Sequence, residues 1–353
     1  VNKNNITGRM DSGLGHYWYP LGFSQVLRKN SAKPQRFVLL DTPIVLWRSQ
    51  NEWRAHKDVC PHRQAPLSSG LVVNDELVCP YHGWSFKPCG TLSAVPSLCD
   101  ADQPKSKPGL IPFLVHDDNF MIWVCLQKTA RLAPPKIIEP TSNNSKTVLI
   151  EKKFNHHIED IIENFMDSPH TLFVHSGLIR DSSQLMSRLV DVSMHENEVL
   201  VSHHPSQEDI SLFSRLINPQ GKMVSHTDTF ILPAHVKINY YFETESPAFS
   251  AWVAMRPISE NQTQLFFAIT LNFNGIINRI FTPVVRLMAE RILWQDRKIL
   301  DLQRDNLAYE KTRHSASSIG DCASNYVRRQ RYDADQLPRN GIILPARTIN
   351  LNL

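Results

Sequence analysis

Residues 60–84 read "CPHRQAPLSSGLVVNDELVCPYHGW". The stretch holds two pairs of metal-binding side chains: Cys60-x-His62 and, after sixteen intervening residues, Cys79-x-x-His82. Each pair is followed by residues that favour tight turns, so two loops are expected, each presenting one thiolate and one imidazole. Structural zinc also takes two Cys and two His, but its usual spacing sets Cys beside Cys and His beside His. Here every loop is mixed. A two-iron, two-sulfide cluster with both cysteines on one iron and both histidines on the other suits mixed loops better, because each loop then reaches both metals. Neutral imidazoles leave less negative charge on such a cluster than four thiolates would, so it accepts an electron more easily.

"CPHRQAPLSSG" and "CPYHGWSF" together resemble the two halves of the Rieske motif in the Rieske-type oxygenases. The resemblance implies a Rieske [2Fe–2S] cluster on Cys60, His62, Cys79 and His82. A cluster of this kind only moves electrons, so what uses them has to be sought elsewhere in the chain.

The chain has 353 residues, 42% of them hydrophobic and 20% charged, enough for two domains with real cores. Its formal charge of +4 is thinly spread. The densest basic run, "VRRQR" (327–331), suits a solvated face or an acidic protein partner better than nucleic acid. With Cys60 and Cys79 set aside, the other four cysteines show no disulfide framework, which fits a reducing compartment. No apolar run approaches the roughly 20 residues that span a bilayer, and "VNKNNITGRMDSG" lacks a signal-peptide core. A cytoplasmic protein without a membrane span is the expectation.

Up to about residue 131, short runs rich in Val, Leu, Trp and Phe alternate with Asn, Asp, Gly and Pro, as in "RFVLLDTPIVLWRSQNEWRAHKDVC" and "NFMIWVCLQK". This reads as an all-β domain over 16–131 after an N-terminal extension, 1–15. "LAPPKIIEPTSNNSKT" (132–147) reads as a linker. Beyond it come a helical stretch (156–167), strands at "EVLVSHH", "HVKINYYFETE", "FSAWVAMRPI" and "TQLFFAITLNF", and one long helix (276–308). The fold class expected is α+β: the all-β domain, then a helix-grip (START-like) domain over 148–332 whose curved antiparallel sheet wraps the long helix, then a tail, 333–353. A pocket is expected between helix and sheet, walled by the aromatic and aliphatic side chains of "HVKINYYFETE", "FSAWVAM" and "QLFFAITLNF".

"EDIIENFMDSPHTLFVH" (159–175) contains Asn164, Asp167, His170 and His175. Steps of three put the first three on one helix face. His175 lies about 140° round from His170 on an ideal helix, so the segment has to bend for the imidazoles to converge. Pro169 supplies a reason. Two histidines plus one carboxylate form the facial triad of non-haem Fe(II) oxygenases, and Rieske oxygenases carry N-x-x-D-x-x-H-x-x-x-x-H at this place. His156 and His157 match nothing in that pattern and are read as structural or solvent-facing. The third ligand has four candidates on the long helix, Glu290, Asp296, Asp301 and Asp305. "QDRKILDLQ" resembles the vanillate-demethylase-like members, in which an Asp is followed by Leu, an acid and Gln at +4, +5 and +7; the match selects Asp296, then Asp301.

"GHYWYPLGFSQ", "TPIVLWR" and "DCASNYVRRQ" extend the resemblance over about 16–332, toward the branch of pheophorbide a oxygenase and vanillate O-demethylase oxygenases. A hydrophobic anchor and a C-terminal C-x-x-C pair, both carried by the plant members, are not found in these 353 residues. A chlorophyll-type substrate is therefore not carried over.

The resemblance implies a terminal oxygenase with mononuclear Fe(II) on His170, His175 and Asp296, and Asn164 close to it. Electrons from NAD(P)H would come through a separate reductase or ferredoxin, since no flavin or nucleotide fingerprint is present. It implies a homotrimer in which Asp167 bridges the cluster of one subunit, by way of His82 or His62, to the iron of the next. O2 and an apolar, aromatic or polycyclic substrate would be hydroxylated or oxidatively demethylated, with ring cleavage and oxidative cyclisation as the alternatives. Two readings of other classes are an electron-transfer protein with a non-catalytic ligand-binding domain and a zinc-stapled binding module.

Overall fold

The computed structural model describes residues 12–99, 108–137, 145–179, 185–206, 218, 222–272, 275–309, 316–336, 338–339 and 341–353. The chain divides into two compact units, one of Thr7–Pro135 with Arg256–Ser259, the other of Lys136–Met255 with Glu260–Leu353. The sequence-expected N-terminal extension and linker lie partly outside the described residues.

The first unit is built on a six-stranded sheet in the order β1 (Tyr19–Phe23), β10 (Met121–Cys125), β9 (Pro112–Asp117), β4 (Glu52–Lys57), β3 (Thr42–Ser49), β2 (Gln35–Leu39). Hairpins fix its register. Leu40 and Asp41, between β2 and β3, and Gln50 and Asn51, between β3 and β4, all have positive φ, the two-residue turn whose twist matches that of the strands it joins. A smaller antiparallel sheet runs β5 (Leu71–Val73), β6 (Glu76–Val78), β7 (Ser85–Phe86), β8 (Leu92–Ala94), with Asn74 and Asp75 making the same kind of turn. Gly70, just before β5, has no room for a side chain: a Cβ there would sit 2.0 Å from the Val78 carbonyl oxygen.

The second unit holds an eight-stranded antiparallel sheet, in the order β11 (Lys146–Phe154), β17 (Gln262–Leu271), β16 (Phe249–Ser259), β15 (His235–Phe242), β14 (Val224–Ile231), β13 (Glu198–Ser206), β12 (Ser187–Met194), β18 (Leu344–Asn352). β18 belongs to the segment set apart in the sequence as a tail. It pairs with β12 along the sheet edge, so that segment completes the sheet.

Helix α1 (Ser24–Lys29) belongs to the first unit, and the helices of the second include α2 (Ile158–Met166), α3 (His170–Val174), α4 (Gly275–Leu307) and α5 (Cys322–Asp335). In α2, Ile158, Ile161, Ile162 and Met166 are buried, the 3–4 spacing of one apolar stripe. Its start is fixed by the His157 side chain, which accepts from the Glu159 N–H, and by acids in the first turn. The helix ends one residue earlier than the sequence pattern implies. Asp167 is already extended, with ψ 94. Asn164, Asp167 and His170 therefore do not share one continuous helix face. Pro169 restricts Ser168, and the chain breaks just ahead of that residue before re-entering a short helix at His170. The expected long helix, 276–308, is α4, which presents Val285, Leu293, Asp296 and Leu300 inward.

Candidate metal centres and pocket

Each unit holds a constellation of possible metal ligands. In the first, the loop after β4 and the loop between β6 and β7 carry Cys60, His62, Cys79 and His82, and the two loops are closed by the same hydrogen bonds. The Cys60 N–H donates to the Ala65 carbonyl (2.9 Å) and the Gln64 N–H to the Cys60 carbonyl (2.8 Å). The Cys79 N–H donates to the Trp84 carbonyl (2.9 Å) and the Gly83 N–H to the Cys79 carbonyl (3.1 Å). Gln64 and Gly83, the fourth residue after each cysteine, both have positive φ.

This frame sends the thiols inward and the imidazoles outward. Cys60 and Cys79 are buried in an apolar cluster with Trp47, Leu67, Leu77 and Phe86. His62 is half-buried and His82 exposed, with ring centroids 4.6 Å apart. Trp84 stacks flat on His62 at 4.5 Å, and Tyr81 covers His82 at 3.8 Å. Burial, with Cys79 alongside, pushes the Cys60 thiol up to about 11. Keeping such thiols ionised takes a metal. Two inward sulfurs beside two outward imidazoles are the donor set that a cluster with unlike irons requires, and mixed Cys and His burial is what a plain hydrophobic core would not produce.

In the second unit, α3 and α4 bring His170, His175 and Asp296 together, their donor atoms all within 4.8 Å of one another. His175 Nε2 lies 3.0 Å from Asp296 Oδ1, and His170 Nε2 lies 3.6 Å from it. The far side of each ring is held: His170 Nδ1 by the Asp167 carbonyl oxygen, and His175 Nδ1 by Gln295 Oε1 at 3.0 Å. With Nδ1–H donating in each case, loss of the Nε2 proton gives the tautomer that binds a metal. Asp296 is 1% exposed on the apolar stripe of α4. Its burial works to raise its carboxyl pKa, but the contacts from His170 and His175 outweigh that and hold it below the ordinary carboxylate value. Burial raises that of Asp167, with the neighbouring His170 opposing. Asn164 lies one helical turn before the break, its Oδ1 buried and without a hydrogen-bond partner among the described residues.

The other acids of α4 have different partners. Glu290 faces Arg286 at 3.5 Å, and Asp305 binds Arg304 at 2.9 Å. Asp301, second choice from the sequence, receives His156 Nε2 at 3.0 Å. That pairing also corrects the solvent-facing option for His156 and His157: both are buried, one on Asp301 and the other capping α2.

The three side chains open into a pocket between α4 and the sheet. Its walls take Ile238 and Phe242 from β15, Phe249 and Val253 from β16, Phe267 from β17, and Met288 and Ile292 from α4. The three strand segments expected to wall it do so. Sequence reasoning missed β14, which adds Val224, His226 and Asp228, and a buried set of His203, His226 and Asp228 whose donor atoms also lie within 4.8 Å of one another. The signal was present in "VSHTDTF", whose strict alternation sends His226 and Asp228 to the same side as Val224 and Phe230.

Residues 17–105 match the Rieske [2Fe-2S] domain, and residues 154–333 match the vanillate O-demethylase oxygenase C-terminal domain. Pheophorbide a oxygenase of Arabidopsis thaliana is 31% identical over 173 residues, covering 45% of this chain and 32% of that protein, about a third of its length. Methylxanthine N3-demethylase NdmB of Pseudomonas putida is 26% identical over 300 residues, covering 82% of this chain and 81% of the relative. Among solved structures, Pseudomonas putida CBB5 NdmA with caffeine superposes with a TM-score of 0.75 at 19% identity, covering 94% of this chain and 97% of that one. Dicamba monooxygenase bound to dicamba gives 0.71 at 23% identity, over 93% and 99%. These two likenesses speak for the fold; the family rests on the two domain matches in their order along the chain. The chain belongs to the Rieske-type non-haem iron oxygenases, with the C-terminal domain of the vanillate O-demethylase oxygenases.

Proposed function

We propose that this protein is the terminal oxygenase of a multicomponent system, and that it hydroxylates or oxidatively demethylates an apolar, ring-containing substrate with O2. Cys60, Cys79, His62 and His82 would hold the Rieske cluster. His170, His175 and Asp296 would hold the mononuclear Fe(II). Electrons would come from NAD(P)H through a separate reductase or ferredoxin, and the six free cysteines suit a reducing compartment. The observation that carries this reading is the triad itself: two imidazoles whose Nε2 atoms turn toward one buried carboxylate, with their Nδ1 atoms held by other acceptors, at the wall of an apolar pocket.

When bound, the iron supplies the site at which O2 is activated. The chain's own residues do the rest. Gln295 and the Asp167 carbonyl fix the ring orientations. The aromatic and aliphatic walls hold an apolar substrate and keep water from the site. The Asp167 carboxylate, next to His170, would accept a hydrogen bond from a cluster imidazole of a neighbouring subunit in a homotrimer, giving the electron a short route. Relatives named as demethylases favour monooxygenation over ring cleavage or cyclisation.

The test is iron and acid-labile sulfide analysis of anaerobically purified protein, with EPR after dithionite reduction. Three irons and two sulfides per chain with a Rieske signal support the reading. Two irons that stay two after Fe(II) is added would leave an electron-transfer protein, and zinc without sulfide would end the oxygenase reading.

A further inference from the structure

Along β14, Val224, His226, Asp228 and Phe230 all face inward. Period-two packing calls for four apolar side chains there, and a carboxylate buried among them is costly unless it is matched. Asp228, 6% exposed, is matched twice: His203 Nε2 lies 3.4 Å and His226 Nε2 3.6 Å from its Oδ2. His226 is flanked across the sheet by His203 on β13 and Tyr240 on β15, directly opposite it in register. Its ring stacks on both, at 3.6 Å and 16° on His203 and at 4.9 Å and 17° on Tyr240.

That stacking decides between two uses of the cluster. A metal lies in the plane of each imidazole it binds, and two near-parallel rings 3.6 Å apart share no such point. The cluster is built for hydrogen bonding. One carboxylate balances one imidazolium, and a second proton on a ring stacked this closely would be repelled. Ser168 Oγ lies 3.0 Å from that same His203 Nε2 and can accept beside Asp228, so a neutral His203 shares its one N–H between the carboxylate and the hydroxyl oxygen. The charge then falls on His226, with the face of Tyr240 against it favouring a cation. An imidazolium donates from both nitrogens. One N–H is directed at Asp228, and the other remains for a ligand in the pocket that His226 and Asp228 both line.

Resting on the proposed oxygenase function, we infer that His226, held by Asp228, determines specificity by donating a hydrogen bond to a carbonyl oxygen. The substrate class is thereby an uncharged, mainly apolar ring molecule bearing a carbonyl. On the sheet wall His226 stands with Asp228 and Tyr240 among apolar side chains, and the triad lies on the helical side, so an anchored ring presents a defined edge to the triad.

The test is calorimetric titration of the holoenzyme with same-shape pairs differing by one carbonyl: 1-tetralone against tetralin, and anthrone against 9,10-dihydroanthracene, with 1-naphthoate as the charged arm. Wild type should bind each ketone about tenfold more tightly than its hydrocarbon. His226→Phe, which keeps the stacking and loses the donor, and Asp228→Asn, which keeps the shape and loses the charge, should bring that ratio close to one with the iron content unchanged. If His226→Phe does not fold, Asp228→Asn carries the comparison. A wild-type ratio near one, no binding of either ketone, tighter binding of naphthoate than of tetralone, or a preference that survives substitution would overturn the inference. So would a fourth metal per chain that disappears in His226→Phe. Iron analysis of the same samples keeps the two readings apart: a missing mononuclear iron counts against the oxygenase, the binding ratio against the carbonyl anchor.

Discussion

Gln295 sits next to the proposed ligand Asp296, yet its work is done across the site on His175. Its Oε1 accepts from Nδ1 at 3.0 Å, fixing tautomer and orientation from behind. Gln295→Leu should leave the Rieske cluster intact and weaken binding of the mononuclear iron about 10- to 100-fold, read by Fe(II) titration of the apo site. Asp167→Asn should do the opposite: both metals stay and most turnover is lost, because the carbonyl that holds His170 is untouched while the carboxylate proposed as the bridge is gone. Wild-type turnover in that variant would refute the bridge. In the first unit, burial and then the charge of Arg54 lower His56 from 6.5 to about 4, and its Nδ1 accepts from Trp47 at 3.1 Å. The folded state thus takes up its proton later than the unfolded chain as pH falls. The stability in question is complete above pH 6.5, declines as pH drops toward 4, and is lost below that by about 3 kcal/mol. Urea midpoints measured against pH should show this slope in wild type, and His56→Gln should flatten it.

At the scale of elements, the paired loops place Gly83 where φ is +68 and where a Cβ would meet Pro96 at 3.2 Å. Gly83→Ala should cost roughly 1–2 kcal/mol and loosen the Cys79 loop, seen as faster loss of the Rieske absorbance on heating. Its counterpart Gln64 holds a similar conformation without being glycine, so the Cys60 loop could not be recognised from a glycine rule alone. The Cys and His spacing marked both loops regardless, because metal geometry constrains spacing more tightly than turns constrain residue type. The break between α2 and α3 was legible only in part. Pro169 announced a bend, but where the chain leaves the helix depends on the hydrogen bonds around Asp167, which no local pattern encodes. Asp296 was separable from Asp301 on physical grounds as well as by resemblance. It falls on the stripe of Val285, Leu293 and Leu300, whereas Asp301 falls beside it among arginines.

For the whole molecule, the proposed trimer makes a prediction that neither site makes alone. Subunits carrying Cys79→Ala lack the cluster, and subunits carrying His170→Ala lack the mononuclear iron. Each alone should be inactive. Co-expressed, they should recover part of the wild-type turnover if electrons cross between subunits, and recover none if they do not. Strand-rich and helical regions, the long helix and the pocket walls on β15, β16 and β17 could be read from side-chain alternation and length. The edge strand β18 could not, because its burial is slight and its pairing with β12 spans more than 150 residues of sequence. β14 escaped for the opposite reason: its polar residues disguise an inward face.

The distance along the chain between His175 and Gln295, 120 residues, has a bearing on biogenesis. A ribosome making about 5–20 residues each second exposes the two histidines several seconds before their carboxylate exists. During that interval most of the sheet has yet to emerge, and any iron caught would be held by an incomplete set. If His170, His175 and Asp296 hold the second metal as proposed, its loading is deferred until α4 has been made and has closed over the strands.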